Sequence, residues 1–370
     1  MTTASEHGRS ESGTGDAGQG GDISVEAANG GSDTEAELPV VSVVFLAYNR
    51  RDELLYALDQ MVGHSGYPAA RLEVLVVDNA SDDGTAGAVA ERFPSVRLVR
   101  NERNLGAPGW NAGFALARGD YVLILDDDAY LRPGDLARVV RAAEAEQAGL
   151  VSFSVVSSSD EEHPLNVDWR TGLLSYWGCA ALLSRHALQA VGGYDPNMFI
   201  WANEVDLTMR LLDHGFRHLH IPEIRAVHMK ARIVEFEPRR YLVNARHHGY
   251  IAAKLMTPVD AAAVVLNIMQ QAMVDAVLVN RVALGAVMEV LAGCRAGARR
   301  RTPVRPIVSG AYRRNFHPFA GPWPFTRSLR ERLRSRRDKA AVEAQRSNRY
   351  TSYYSERARY YPTQRASLQL

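Results

Sequence analysis

Short apolar runs alternate with segments of helical spacing from residue 39 onward, and this alternation organises the first half of the chain. Runs of consecutive β-branched and aliphatic residues predict strands that are buried on both faces. The predicted strands of this half are residues 40–46, 72–77, 96–99 and 121–125. The predicted helices are residues 52–62, 83–93, 110–117 and 133–148. Alternation with short connections predicts an α/β fold with a mostly parallel central sheet that is flanked by helices.

The second half is less regular. Its predicted strands are residues 150–156, 173–183, 218–221 and 226–228, and its predicted helices are 205–213 and 238–256. Residues 259–292 contain four polar residues at intervals of seven, four and four, which places them on one helical face. They are Asp260, Asn267, Gln271 and Asp275. These interruptions exclude a membrane span, which needs about 20 mostly apolar residues. We expect an amphipathic helix that packs on another surface, and it could lie in a membrane interface or mediate self-association.

Charge is distributed unevenly along a chain whose formal net charge is only +1. Residues 1–38 carry eight acidic residues against one arginine and are rich in glycine and serine, so we expect a disordered tail. Residues 295–339 carry fourteen basic residues against two acidic ones, with aromatic residues among them. Such a region suits an anionic membrane surface or nucleic acid. A solvated, partly disordered basic extension is the simpler alternative.

The cysteine content and the first residues of the chain indicate the cellular compartment in which the protein is expected. Two cysteines are too few for a disulfide framework, which favours a reducing compartment. The first residues lack the basic start and apolar stretch of a secretory signal peptide. We therefore expect a cytoplasmic protein, with peripheral contact to the inner face of the plasma membrane as a further expectation.

The strongest chemical signal is the triplet Asp126-Asp127-Asp128, directly after the apolar run 121–125. In open α/β sheets, ligands bind at the carboxyl ends of strands. Three carboxylates at such a position are costly unless a cation neutralises them. Oxygen ligands of this kind suit a divalent cation such as Mn²⁺ or Mg²⁺. A solvated acidic turn before the next helix is the structural alternative.

Polar residues also follow the first two predicted strands and precede the helix at 110–117. Residues 47–51 and 78–85 fall at the ends of neighbouring strands, so they should converge on one crevice. We predict that Asp78, at the strand end itself, binds a ligand, and that the acids and serine after it cap the next helix. Residues 103–113 contain three glycines and two asparagines, which suits backbone approach to a nucleotide sugar or a plain helix entry.

Taken in order, these motifs resemble the nucleotide-sugar-binding half of family 2 glycosyltransferases. The motifs are Ala47-Tyr48-Asn49-Arg50, Val77-Asp78-Asn79-Ala80-Ser81-Asp82 with Gly84-Thr85, Asn104-Leu105-Gly106, Asn111-Ala112-Gly113 and Asp126-Asp127-Asp128. The resemblance covers about residues 39–256 and is greatest to rhamnosyl- and galactofuranosyl-type enzymes of bacterial surface polysaccharides. It implies a GT-A-like fold and metal-dependent, inverting transfer of a sugar from a nucleotide-diphosphate donor to an acceptor hydroxyl.

The resemblance also implies a general base. The family usually has Glu-Asp-Val-Asp-Leu where this chain has Asn203-Glu204-Val205-Asp206-Leu207, and the second acid is the base. Glu204 matches that position with a longer side chain, and either carboxylate can accept a proton from a hydroxyl. The structural alternative is a helix start in which Asn203 and Asp206 form a capping box.

The remaining site residues follow from the same resemblance. In similar enzymes a histidine at the position of His228 completes the metal site with Asp126 and Asp128, whereas a histidine bonded to backbone is the alternative. The implied donor contacts are Ala47, Tyr48, Asn49, Arg50, Asp78, Asn104, Gly106, Asn111 and Asp127. The candidate acceptor contacts are Trp169, Trp177, Trp201 and Asp206. Trp177 and Trp201 could equally be core residues.

The implied partners are a UDP- or dTDP-linked donor and a carbohydrate or lipid-linked acceptor. If the acceptor is lipid-linked, the reaction takes place at a membrane. We therefore favour a membrane surface over nucleic acid as the partner of residues 295–339. The expected regions are a disordered tail (1–38), a GT-A-like domain (39–256), an amphipathic segment (257–294) and a basic, partly disordered extension (295–370).

Two other functions stay open at this stage. A nucleotidyltransferase also pairs a nucleotide site at a sheet edge with metal-binding acids. It usually needs a glycine-rich loop after the first strand, where this chain has Tyr48-Asn49-Arg50-Arg51-Asp52. A non-catalytic nucleotide-sugar-binding protein would use Glu204 only as a residue of the helix start.

Overall fold

The computed structural model describes residues 38–158, 175–229, 238–278, 281–315 and 366–368. The strands are β1 (Val41–Ala47), β2 (Leu72–Asp78), β3 (Arg97–Arg100), β4 (Tyr121–Asp126), β5 (Ala129–Tyr130), β6 (Ala148–Val156), β7 (Ala180–Ser184), β8 (Arg217–His228) and β9 (Ala366–Leu368). The helices are α1 (Arg51–Gly63), α2 (Thr85–Arg92), α3 (Trp110–Leu116), α4 (Asp135–Ala145), α5 (Arg185–Val191), α6 (Asn203–Asp213), α7 (Pro238–Leu255), α8 (Pro258–Leu278), α9 (Gly285–Ala298) and α10 (Pro306–Asn315). The predictions for residues 1–37, for Trp169 and for residues 316–339 lie outside the described residues.

The strands form one mixed sheet in the order β3-β2-β1-β4-β7-β6-β8-β5, and β9 pairs with β8. β1 lies parallel to both β2 and β4, with Ala47 beside Asp78 and Leu46 beside Asp126. The carboxyl ends of these three strands therefore meet at one edge, as the sequence predicts. β7 runs antiparallel to β4 and to β6, whereas β6 and β8 are parallel. The predicted α/β class with helices on the sheet is confirmed.

The sheet is covered by apolar cores on both faces. On one face, Leu54 and Leu58 of α1 and Val139 of α4 are fully buried against the strands. On the other face, Trp110 of α3 and Leu207 of α6 pack on the sheet. Each fully buried aliphatic side chain contributes about 1.5–3 kcal/mol, so the helices hold the strand ends in fixed positions.

Several predicted boundaries differ from the structure. The helix expected at 133–148 begins only at Asp135, because Gly134 adopts a φ of +82° that no helix contains. The strand expected at 173–183 is limited to β7, and residues 175–179 lead into it without strand pairing. The two strands expected at 218–221 and 226–228 form the single strand β8, which absorbs a register shift opposite Phe153 and Ser154.

The helix expected at 259–292 is two helices. α8 ends at Leu278, and a 3₁₀ turn, Arg281–Leu284, precedes α9. The shared polar face exists, and Asp260 and Asp275 lie on its buried side with 8% and 4% exposure. This segment therefore packs its polar face on the protein.

The C-terminal helices pack against α6, the helix that carries Glu204. Met209 of α6 shares a core with Ile251 of α7 and Val308 of α10. The backbone N–H of Val304 donates to the carbonyl of Leu255 over 2.8 Å, which fixes the chain after α9 beside the end of α7. The region boundaries after residues 256 and 294 stay predictions, and apolar contacts cross both of them.

Candidate active site

The acidic triplet forms the turn between β4 and β5. Asp126 ends β4, and the four residues before it are fully buried in the centre of the sheet. The carboxylates therefore emerge at the carboxyl edge of the strands. The side chains of Asp127 and Asp128 are 9% and 0% exposed, whereas that of Asp126 is 34% exposed.

His228 reaches the triplet because the end of β8 pairs with β5. Ala129 is the pairing partner of His228, and the N–H of Met229 donates to the carbonyl of Asp128 over 2.8 Å. Nε2 of His228 lies 3.0 Å from Oδ1 of Asp128 and 3.9 Å from Oδ2 of Asp126. One ligand atom from each of these three side chains lies within 4.8 Å of the others. This set offers two carboxylates and one imidazole to a cation.

The fit to a divalent cation also rests on one buried oxygen. Among the described residues, no well-directed hydrogen-bond donor reaches Oδ1 of Asp128, although His228 approaches it closely. A buried carboxylate oxygen without a directed donor is costly, and a metal ion would satisfy it. The carboxylate and imidazole set suits Mn²⁺ or Mg²⁺ better than a soft metal. The site thus fits the metal that the sequence predicts.

Arg50 supplies a protein cation to the same cluster. Its Nη1 lies 3.1 Å from Oδ1 of Asp127 and 2.9 Å from Oδ2 of Asp128. The backbone N–H of Tyr48 donates to the other oxygen of Asp127 over 3.0 Å. Asp127 therefore holds the loop after β1 against the triplet, which brings the predicted donor residues Tyr48 and Arg50 beside the metal candidates.

The acids of the triplet differ in their proton affinity. Burial raises the pKa of Asp126 to about 6 and that of Asp127 to about 7. Burial acts in the same direction on Asp128, but the close approach and charge of the His228 ring and the charge of Arg50 outweigh it and lower the pKa of Asp128. Burial lowers the pKa of His228, and its acidic neighbours reverse this effect, so that the net shift is upward. A bound cation would favour the ionised carboxylates.

The loops after β1 and β2 are joined to each other. The side-chain oxygen of Asn49 accepts from the N–H of Asp82 over 2.9 Å, and the N–H of Asn49 donates to Ser81 over 3.1 Å. The carbonyl of Ala47 accepts from the N–H of Asn79 over 2.8 Å. The ring of Tyr48 is 45% exposed above this junction, so it is available to stack on a planar group.

Asp78 is buried at the end of β2, and both of its oxygens have partners. Oδ1 accepts from the N–H of Ser81 over 2.9 Å, and Oδ2 lies 3.1 Å from Nε of Arg100. The carboxylate retains lone pairs that these partners do not use. Its role in donor binding stays a prediction. Gly84 occupies the N-cap of α2 without a side-chain cap, so none of Ser81, Asp82 and Asp83 is the N-cap residue. Asp83 accepts from the N–H of Thr85, the first residue of α2, and so satisfies one free N–H of the helix start.

The glycine- and asparagine-rich segment before α3 is held by Asn79. The amide of Asn79 donates to Asn104 over 2.8 Å and accepts from the N–H of Leu105 over 3.0 Å. Gly106 has a φ of +65°, and a Cβ there would collide with the carbonyl of Phe199. A glycine is therefore required at position 106, because the backbone there touches the segment before α6. Contact of Gly106 with a donor stays a prediction.

Asn111 has a structural partner. Its amide pairs with the backbone of Tyr194 in both directions, over 2.8 and 2.9 Å. These bonds join α3 to the loop before α6. Direct contact of Asn111 with a donor stays a prediction, and it would have to use the remaining hydrogen-bonding capacity of this amide.

Glu204 lies in the first turn of α6, facing the turn before β7. A Cβ on Gly178 would clash with Oε1 of Glu204, so the absence of a side chain at Gly178 makes room for this carboxylate. Burial raises the pKa of Glu204 to about 7, and the charge of Asp126 acts in the same direction. Trp201 and Ala202, directly before α6, have φ values of +63° and +59°. Such strained backbone is characteristic of functional sites.

The capping-box alternative for this helix start is wrong. The amide of Asn203 donates to the carbonyl of Met198, and Ala202, which has no capping side chain, occupies the N-cap. Asp206 is fully buried and binds Nε of Arg210 over 2.8 Å and Nζ of Lys254 over 2.6 Å. The carboxylate of Asp206 thus belongs to a buried charge network, and its contact with an acceptor stays a prediction.

The two tryptophans proposed as acceptor contacts are partly exposed. Trp177 packs against the core under α1 and α4. Trp201 lies 5.7 Å from the guanidinium of Arg240, and its carbonyl accepts from the ring of His247. Trp177 precedes Gly178 and Trp201 precedes Ala202 in the chain, and an acceptor contact stays a prediction for each.

Three residues of this arrangement were not among the predicted site residues. Asn79 directly follows Asp78, and its position at the end of a predicted strand could have identified it as a site residue. Gly178 belongs to a glycine-containing turn that suggested only close backbone approach. Lys254 is a single lysine in an apolar stretch of α7, and its two buried aspartate partners, Asp195 and Asp206, lie far away in the sequence. Only the fold brings them together.

Comparison with known proteins agrees with this geometry. Residues 42–198 match the profile described as "Glycosyl transferase family 2". The chain is 38% identical over 125 residues to "Succinoglycan biosynthesis protein ExoO" of Rhizobium meliloti, covering 33% of this chain and 35% of that protein. It is 24% identical over 258 residues to "N-acetylglucosaminyl-diphospho-decaprenol L-rhamnosyltransferase" of Mycobacterium tuberculosis, covering 57% of this chain and 81% of that protein.

A solved structure has the same fold. The chain superposes on a mannosyltransferase from Pyrobaculum calidifontis, solved in complex with GDP-Man and Mn²⁺, with a TM-score of 0.51. The two are 22% identical, and the superposition covers 88% of each chain. Among the described residues, no helix has both the length and the apolar character that crossing a bilayer requires.

Proposed function

We propose, on the match of residues 42–198 to glycosyltransferase family 2, that the chain transfers a sugar from a nucleotide-diphosphate donor to an acceptor hydroxyl, with inversion and with a divalent cation. The observation that carries the proposal is the arrangement of Glu204 and the cluster Asp126, Asp128 and His228 at one sheet edge. The charge of Asp126 acts on Glu204, so the two groups are near each other, and a base close to a metal site is what such a displacement requires.

Asp126, Asp128 and His228 would hold Mn²⁺ or Mg²⁺. The cation would supply Lewis-acid stabilisation of the diphosphate charge. Arg50 also lies within ion-pair distance of Asp127 and Asp128, so it holds these two acids in place and adds positive charge to the crevice. The loop residues Ala47, Tyr48 and Asn49 and the strand-end Asp78 are the proposed contacts to the nucleoside.

Glu204 is the proposed general base. Its carboxylate takes the proton from the acceptor hydroxyl while the oxygen forms a bond to the anomeric carbon and the bond to the nucleoside diphosphate breaks. Because burial raises the pKa of Glu204 to about 7, the carboxylate is both available and basic near neutrality. One displacement of this kind inverts the anomeric configuration.

The substrates are proposed at a coarser level. We propose a UDP- or dTDP-linked donor, with GDP-linked sugars included in the tests because the Pyrobaculum enzyme was solved with GDP-Man. The mycobacterial relative is named for a diphospho-decaprenol acceptor, which supports a lipid-linked acceptor in cell-surface polysaccharide or glycolipid synthesis. Both cysteines are free thiols, which supports placing the reaction on the cytoplasmic side.

The substitution Glu204→Gln tests the base. We expect sugar transfer to fall at least about 100-fold, because general base catalysis contributes 10²–10⁴-fold. Donor affinity, measured by calorimetry with Mn²⁺ present, should change little. The matched control is Glu91→Gln on the exposed side of α2. Normal transfer by the Glu204→Gln variant would rule out this base assignment.

The reaction products separate the proposed function from its rivals. A glycosyltransferase releases a nucleoside diphosphate from the donor, and this is the expected product. Formation of pyrophosphate from a nucleoside triphosphate and a sugar phosphate would identify a nucleotidyltransferase instead. Metal-dependent donor binding without any turnover would identify a binding protein.

A further inference from the structure

Helix α8 turns its apolar face outward and its polar face inward. Val259, Leu266 and Met273 recur at intervals of seven and are 78%, 59% and 51% exposed. The other strongly exposed positions between them include Ala262, Ala263 and Gln270, so that the outer face is almost entirely apolar. A surface helix of a globular protein normally shows the opposite arrangement.

The polar face of α8 is held inside by specific partners. Asp260 accepts from Thr257 and Ser309 over 2.8 and 2.6 Å. Asp275 accepts from the hydroxyl of Tyr241 over 2.8 Å and from Gln271 over 2.7 Å. Because these bonds fix the rotation of the helix, the outward direction of its apolar face is built into the fold.

Helix α9 continues this surface and adds positive charge. Leu284, Met288 and Leu291 lie on one side at intervals of four and three, with 52%, 69% and 46% exposure. The same helical face continues into Arg295 and Arg299, which are exposed. The outer side of α9 therefore changes from apolar to basic along its length.

The charges of this region leave a net positive surface. Residues 258–315 contain three acidic side chains, and each has a partner within the protein. Asp260 pairs with Arg313, Glu289 pairs with Arg246, and Asp275 has the hydrogen bonds given above. The exposed arginines of residues 281–300 number four against a single acid, Glu289, whose partner is Arg246 on α7. They are Arg281, Arg295, Arg299 and Arg300.

The packing of α9 on α7 is also unusually close. A Cβ on Gly293 or Gly297 would collide with the carbonyl of Arg246 or Tyr250, so the two backbones touch through glycines four residues apart. Small residues allow backbones to approach closely, so these contacts fix α9 against α7 and set the direction of its outer side. Helices held side by side with apolar outer faces suit the surface of a bilayer.

We propose that the outward faces of α8 and α9 dock on the surface of an anionic lipid bilayer. The apolar side chains enter the acyl boundary, and the arginines at the end of α9 contact lipid phosphates. A second copy of the chain is the competing occupant for an exposed apolar face. It would bring two clusters of arginine together without acidic partners, whereas anionic lipid complements both features of the surface.

Vesicle binding by the full chain tests this proposal. We would measure co-sedimentation with vesicles of phosphatidylcholine and with vesicles that contain phosphatidylglycerol, at low and high salt. The triple variant Leu266→Gln, Met273→Gln and Met288→Gln should bind about 100-fold more weakly or worse, because three apolar contacts are lost. Glutamine is a good helix former, so the helices should persist.

A second variant examines the charge. Arg295→Gln with Arg299→Gln should bind phosphatidylglycerol vesicles about 30-fold more weakly, since each basic residue near an anionic surface contributes about 1 kcal/mol. The control is Val62→Gln, an exposed apolar residue at the end of α1, which should bind as the wild type. Glu204→Gln should also bind vesicles normally, which separates this proposal from the proposed catalytic function.

Two results would overturn the proposal. One is a lack of vesicle binding by the wild-type chain, or equal binding by the triple variant. The other is a wild-type dimer in sedimentation velocity that the triple variant converts to a monomer without any change in vesicle binding. The second result would assign the surface to another copy of the chain.

Discussion

Replacing Gly178 by alanine should slow sugar transfer while the fold and donor binding remain intact. The new Cβ would lie closer than 3.0 Å to Oε1 of Glu204 and 3.2 Å from its Cδ. Because the obstacle is the end of a flexible side chain, the carboxylate must move by about 1 Å while the backbone stays in place. A misplacement of about 1 Å can cost about 100-fold in rate. We therefore expect kcat to fall by about that factor.

The assay is the initial rate of nucleoside diphosphate release in the presence of acceptor, with donor affinity and thermal unfolding measured in parallel. The matched control is Gly87→Ala on α2, where nothing lies within 4 Å of the added carbon. A wild-type kcat for the Gly178→Ala variant would refute the claim that the position of the Glu204 carboxylate limits transfer. A large decrease in the unfolding temperature of the Gly178→Ala variant would refute the claim that only this carboxylate must move.

Three further predictions concern protonation, metal binding and stability. Burial raises the pKa of Glu204 to about 7, and a general base acts only when it is ionised. We therefore expect kcat to rise about tenfold per pH unit below pH 7 and to level off above pH 7. A flat profile of kcat from pH 5 to 8 would contradict this assignment. His228→Ala should weaken Mn²⁺ binding in calorimetry at least about tenfold, and the exposed control His64→Ala should not. Lys254→Met should lower the free energy of unfolding in urea by about 3 kcal/mol, because it leaves the buried Asp206 with one cation fewer; a change below about 0.5 kcal/mol would show that the network is not coupled to folding.

The sheet could be predicted because its strands are marked by continuous apolar runs that end in polar residues. β1, β2 and β4 were found to within one or two residues for this reason. β5 has only two residues, which are too few for a hydrophobic pattern to be detected in the sequence. β8 was divided in two because Pro222 and Glu223 interrupt its apolar pattern, whereas the structure accommodates them in an irregular stretch of one strand.

The orientation of α8 could not be predicted from spacing. Periodicity identified the residues that share a face, among them Asp260 and Asp275, but it cannot tell which face lies inside. Burial of the polar face depends on distant partners such as Tyr241 and Ser309, which only the folded chain brings into contact. The expectation of one continuous helix was wrong, and contact with a membrane or with another copy of the chain stays a prediction.

The candidate site was predictable to the extent that strand ends define it. The triplet, Arg50 and His228 converge because β4, β1 and β8 end at the same edge. Asn111 and Asp206 show the limit of this reasoning, since a polar side chain near a site can equally bind the backbone or a buried charge. Their partners, Tyr194 and Lys254, carry no signal in the local sequence.

The measurement that tests the central claim most directly is donor turnover across a panel of UDP-, dTDP- and GDP-linked sugars, with and without Mn²⁺ or Mg²⁺. The account predicts metal-dependent release of the nucleoside diphosphate from one donor, and loss of that release when a chelator is added. Absence of turnover across the panel, together with donor binding that does not depend on metal, would contradict it and would remove the basis for assigning Asp126, Asp128 and His228 to a cation.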